Sequence, residues 1–86
     1  MGEILITFIK QSSAYKLQKG ANRMGIGVKI VQTPKELSQG GCTYGVLARR
    51  KDAENLVSIC KNAGIDYRRV FSVYTDTSGK KFYNEI

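Results

Sequence analysis

The chain predicts an α+β fold: a ferredoxin-like βαββαβ sandwich, with a four-stranded antiparallel sheet and two helices on one face. Three observations carry this expectation. Short β-branched runs alternate with helical apolar periodicity along the 86 residues. Gly25-Ile26 closes the first helical stretch and Gly64-Ile65 closes the second. The strand opening at Ile4, moved on by the interval between those pairs, lands on Thr43, where a third strand is expected. A β-α-β unit written twice interleaves most simply as this sandwich, with right-handed crossovers.

The elements follow in order. Ile4, Leu5, Ile6, Phe8 and Ile9 form a nearly continuous apolar run, as a covered central strand requires. Ser12 or Ser13 is placed to cap a helix whose apolar stripe is Ala14, Leu17, Ala21 and Met24, with Gly25 as its stop. Gly20 inside that helix costs about 1 kcal/mol against alanine. Val28 to Val31 is a short β-branched strand ended by Pro34. A third strand runs from about Thr43 to Ala48. Asp52 then caps a helix facing the core through Ala53, Leu56, Val57, Cys60 and Ala63 and ending at Gly64. Ile65 to Tyr74 contains the last core strand, Thr75 to Gly79 reads as a turn, and Lys81 to Tyr83 as a possible extra strand. The expectation is one domain over residues 1–86, with a core of about 3–74 and a C-terminal extension of about 75–86.

Composition narrows the chemistry. Hydrophobic residues make up 42% and there is one proline, so the chain folds and is not disordered. The run Ile4 to Ile9 is too short for a signal-peptide core or a membrane span, giving a cytoplasmic reading with no membrane partner. Two cysteines without a Cys-x-x-Cys spacing, and no histidine, exclude the common zinc arrangements and histidine-based catalysis. No metal, cofactor or classical enzyme activity is expected. The formal charge is +7, but its lysines and arginines are spread along the chain, which reads as a solvated surface more than as a specific nucleic-acid face.

Cys42 is the residue of chemical interest. It follows Gly40-Gly41 at the end of a turn-rich stretch, and glycines at positive φ leave backbone amides close to whatever sits there. Its bland alternative is an incidental half-buried cysteine. In the expected topology the first and second strands run parallel, so this loop and the start of the first helix share one edge of the sheet. Cys42 is then expected to be accessible and close to Ser12, Ser13 and Ala14, where the helix N-terminus, with Lys10 and Lys35, favours a thiolate or persulfide anion. Cys60 falls on the apolar helix stripe and reads as a core residue. A Cys42–Cys60 disulfide is disfavoured by compartment and distance.

Thr33-Pro34-Lys35-Glu36-Leu37-Ser38 followed by a cysteine, after a strand-helix-strand opening with serine near the first helix start, resembles the small selenium/sulfur carrier-like family. The likeness covers about Ile4 to Tyr74. It implies that Cys42 accepts sulfur or selenium as a persulfide or selenopersulfide, with Thr33, Pro34, Glu36, Leu37 and Ser38 as loop elements and Lys35, Gly40, Gly41, Ser12 and Ser13 in support. It also implies a cysteine desulfurase or a selenium-metabolism protein as partner. Two departures stand out: Thr43 follows Cys42 where the family pattern commonly has glycine, and the Ser38–Cys42 spacing is one residue longer. The competing class is a noncatalytic ferredoxin-like module that binds RNA or a protein through its sheet, with Phe8, Tyr44, Tyr67, Phe71 and Tyr74 as stacking candidates.

Overall fold

The computed structural model describes residues 2–86, with backbone only for Gln39. The chain runs β1 (Glu3–Phe8), α1 (Gln11–Arg23), β2 (Lys29–Gln32), β3 (Tyr44–Arg49), α2 (Ala53–Ala63), β4 (Val70–Thr75) and β5 (Lys81–Glu85). The sheet order is β2-β3-β1-β4-β5, and every neighbouring pair is antiparallel. The first four strands thus have the order expected of the βαββαβ sandwich. The fifth extends its edge, and is longer than the stretch Lys81 to Tyr83.

Alternation along β1 divides the molecule. Ile4, Ile6 and Phe8 pack with Val46 and Ala48 of β3, with Ala14, Leu17 and Ala21 of α1, and with Leu56 and Cys60 of α2. Both helices therefore cover one face. Each large side chain buried there contributes about 1.5–3 kcal/mol. Leu5, Phe71 and Val73 point to the other face, where Val31, Leu37, Leu47 and Tyr83 pack against them.

Both helices end in the same way. Ile26 N–H donates to Ala21 O at 2.9 Å and Gly25 N–H to Asn22 O at 3.1 Å, with Gly25 at φ 74°. At the second helix Ile65 N–H donates to Cys60 O at 2.9 Å past Gly64, at φ 65°. These are Schellman-type ends: glycine supplies the left-handed residue and the following isoleucine drops into the core. Gly20 has a packing role that outweighs its helix propensity. A Cβ there would lie 2.8 Å from Ile59 Cγ2, so glycine permits the close approach of α1 and α2.

Several local expectations are corrected. Neither Ser12 nor Ser13 caps α1; Lys10 is the N-cap, and no side chain caps the helix. Ser13 belongs to the buried stripe with Ala14, Leu17 and Ala21, so the helix must begin before it. Asp52 does occupy the N-cap of α2, after a 3-10 turn over Arg50–Asp52, but its side chain makes no capping bond. Met24 is 58% exposed because the chain has already entered the Schellman turn, and Ile26 takes the core position in its place. Ala63 is likewise exposed at the end of α2. Residues 66–69 are irregular, and β4 begins only at Val70.

Candidate functional site

β1 and β2 both pair antiparallel with β3, so Phe8, Tyr44 and Gln32 lie at one edge of the sheet. The Thr33–Thr43 loop leaves from this edge, as the topology predicts. It then turns away from α1 and crosses the opposite face as a strap. Lys35–Leu37 form a 3-10 turn closed by Leu37 N–H to Pro34 O at 2.9 Å and Ser38 N–H to Lys35 O at 3.2 Å; Ser38 Oγ also donates to Lys35 O at 3.0 Å. Leu37 packs on the patch of Leu5, Phe71 and Val73. Burial, followed by the charges of Glu36 and Glu3, raises the pKa of the Tyr83 hydroxyl on β5.

Gly40 and Gly41, at φ 75° and 86°, carry the chain back toward β3. Two consecutive left-handed residues explain the glycine pair, since an L side chain is strained at such φ. Cys42 then sits at the centre of an inverse γ-turn, with φ −76° and ψ 70°, closed by Thr43 N–H to Gly41 O at 2.8 Å. Thr43 Oγ1 donates to the same carbonyl at 3.3 Å. The loop is tied to the strand behind it by Thr33 N–H to Thr43 O at 2.9 Å.

One expectation for Cys42 is overturned. The residue is buried, 4% exposed, because its own loop folds over the sheet instead of projecting from it. Among the described residues no hydrogen bond joins the Thr33–Thr43 loop to the first turn of α1. Arg69 is one cation within electrostatic reach of the Cys42 sulfur. The Glu85 hydrogen bond and charge raise the Arg69 pKa, burial opposes them, and the charge of an ionised Cys42 adds a smaller contribution in the same direction. Arg69 Nε donates to Glu85 Oε2 at 3.2 Å and an Nη to Oε1 at 2.7 Å, while the guanidinium lies 5.3 Å from the Phe71 ring centroid. That pairing lowers the Glu85 pKa.

The backbone of Arg69 is clamped to β1. Thr7 N–H donates to Arg69 O at 2.8 Å, and Arg69 N–H donates to Thr7 Oγ1 at 3.1 Å. Thr7 stands opposite Gly45, and Gly45 opposite Val31, so these residues form one row across the strap-covered face. A Cβ on Gly45 would lie 2.7 Å from Leu5 Cδ1 and 3.3 Å from Thr33 Oγ1. Thr33 is 8% exposed, and its hydroxyl is buried without a hydrogen-bond partner among the described residues.

The other thiol differs. Cys60 is 1% exposed inside the helix-side core, and burial pushes its pKa from 9.0 to about 11. Both cysteines are free.

Of the aromatic residues considered for stacking, Phe8, Tyr44 and Tyr67 pack into the helix-side core, and Phe71 is buried beneath the strap. Tyr74 is exposed, but it pairs with Phe82 in the row that alternates away from the strap. Sequence reasoning missed Arg69 and Glu85. Alternation back from Val73 and Phe71 would have put Arg69 on their face, but the position of Glu85 needed the full length of β5.

A family model described as "Putative Se/S carrier protein-like" matches residues 3–72. No curated protein and no solved structure matches the chain. Among the described residues no helix is long and apolar enough to cross a membrane.

Proposed function

This chain belongs to the Se/S carrier protein-like family, and from that premise we propose that it accepts one sulfur or selenium atom on Cys42 and passes it to a partner protein. The observation that supports Cys42 is the contrast with Cys60: Cys60 is enclosed by helices and sheet, whereas Cys42 lies outside both apolar clusters, on a loop whose hydrogen bonds are nearly all internal. The strap can therefore lift without unpairing the sheet.

The step needs no cofactor. The Cys42 thiolate attacks the outer sulfur of a donor persulfide R–S–SH; the new S–S bond forms at Cys42, the donor S–S bond breaks, and the donor leaves as R–S⁻. A selenium donor transfers the outer selenium in the same way. Hand-off repeats the exchange with the acceptor thiolate as nucleophile. A cysteine desulfurase fits the donor role for sulfur, and a selenium-metabolism protein the corresponding role for selenium.

Intact-mass spectrometry after incubation with a cysteine desulfurase and cysteine tests the reading. Wild type and Cys60→Ala should each gain one sulfur and Cys42→Ser none. A wild type that gains no sulfur, or gains it on Cys60, contradicts it.

A further inference from the structure

Thr33 Oγ1 and Arg69 are two polar groups on the strap-covered face beside the loop that carries Cys42. Thr33 sits where β2 ends, with its amide bonded to Thr43 O, one residue beyond Cys42. Its hydroxyl lies against Gly45, where a Cβ would come within 3.3 Å of it, and it has no partner among the described residues. A buried hydroxyl without a partner is destabilising, so it marks a place where an acceptor is missing. The backbone of Arg69 is fixed by Thr7 at the same row of the sheet, and its side chain is partly exposed and paired with Glu85. The charged groups on this face are Arg69, Glu85 and Glu36, with Tyr83 beside them, and Glu3, Lys29, Arg49 and Lys81 at the far end of the strands. Arg69 is one cation among them in electrostatic reach of Cys42.

Resting on the carrier reading, we infer that the outer sulfur or selenium anion of loaded Cys42 is received by the Thr33 hydroxyl as hydrogen-bond donor and by the Arg69 guanidinium as counter-ion, Glu85 holding Arg69 while the site is empty. Thr33 and Arg69 are binding residues for the cargo, and Glu85 is a positioning residue acting through Arg69. Glu85, on β5, is a carboxylate that competes with the cargo for one cation. Loading exchanges one anion partner of Arg69 for another and gives Thr33 its missing acceptor. An outer sulfur held as the anion repels an incoming thiolate, so the site lengthens the life of the persulfide.

The test separates this inference from the carrier reading by loading Cys42 chemically. Sodium polysulfide gives up one sulfur to the thiolate and leaves as a polysulfide one atom shorter, whether or not a desulfurase serves the protein. Peptide-resolved mass spectrometry then follows the Cys42 persulfide in excess glutathione, which removes the outer sulfur as glutathione persulfide. Arg69→Ala should shorten the half-life roughly tenfold, as the loss of one charge-assisted hydrogen bond implies. Arg69→Lys should restore part of it, Glu85→Gln should lengthen it, and Thr33→Val should shorten it while leaving the melting temperature of the unloaded protein unchanged or raised. Half-lives equal to wild type in Thr33→Val and Arg69→Ala, or a shorter one in Glu85→Gln, overturn the inference even if desulfurase loading succeeds. Failure of desulfurase loading with the chemical half-lives ordered as expected overturns the carrier reading alone.

Discussion

The two thiols are both buried, but by different structures. Cys60 is covered by α2 and the sheet, within a core that includes Ile4, Leu17 and Leu56. Cys42 is covered by a strap anchored on the sheet through Leu37, tied to β3 by the Thr33–Thr43 bond, and otherwise hydrogen-bonded to itself. Equal burial therefore implies unequal access. Exposing Cys60 means separating the core, at the cost of the global stability; exposing Cys42 requires only a local opening, and such openings span free energies down to near zero.

The largest expected effect follows directly. In the native protein Cys42 should alkylate faster than Cys60 by on the order of a thousandfold, corresponding to about 4 kcal/mol between local and global opening. Peptide-resolved iodoacetamide labelling measures both rates in one sample, and comparable rates would break the comparison.

A pH titration addresses the buried member of the pair. The pKa of Cys60 is raised from 9.0 to about 11 on folding, so the unfolded state loses this proton first. The stability from keeping the thiol neutral is fully present below pH 9 and is lost as pH rises toward 11, by about 1.4 kcal/mol per unit. Urea denaturation at several alkaline pH values should show this slope in wild type and not in Cys60→Ala, relative to the groups the two proteins share.

Gly20→Ala sharpens the contrast from the helix side. The added Cβ would meet the β-branched Ile59 Cγ2 at 2.8 Å, an overpacking of about 1–3 kcal/mol against a propensity gain of about 1 kcal/mol. The expected net loss should speed labelling of Cys60 and leave Cys42 unchanged. A stabilised Gly20→Ala would mean that α1 and α2 yield more easily than this contact implies.

The smallest effect is on the strap side. Thr33→Val replaces a buried, unpartnered hydroxyl by a methyl group and should raise stability by about 1 kcal/mol. Thermal unfolding reads it, and a clear loss of stability would indicate a partner for Thr33 Oγ1 in solution.

Much of the fold was legible in the sequence because local and global signals agree. Gly25-Ile26 and Gly64-Ile65 mark helix ends by a mechanism that depends on neighbouring residues alone, and alternation in Ile4 to Phe8 is enough to assign strand faces. The strap was not legible. Leu37 is a single apolar residue in a polar loop, and its packing on Leu5, Phe71 and Val73 depends on strands far away in sequence. Missing that contact made Cys42 look accessible, and it hid Arg69 on the same face. Ser13 failed as a cap for a related reason: the tertiary core claimed it for the buried stripe and moved the helix start back to Gln11.

Labelling of both cysteines across a series of urea concentrations below the unfolding transition tests the central contrast most directly. Opening that unfolds the whole molecule grows with denaturant in proportion to the surface exposed, whereas a local opening exposes little. The Cys60 labelling free energy should fall with the slope of global unfolding, and that of Cys42 should stay nearly flat. Parallel slopes would mean that the strap opens only when the core does, and that Cys42 is as inaccessible to a partner as Cys60.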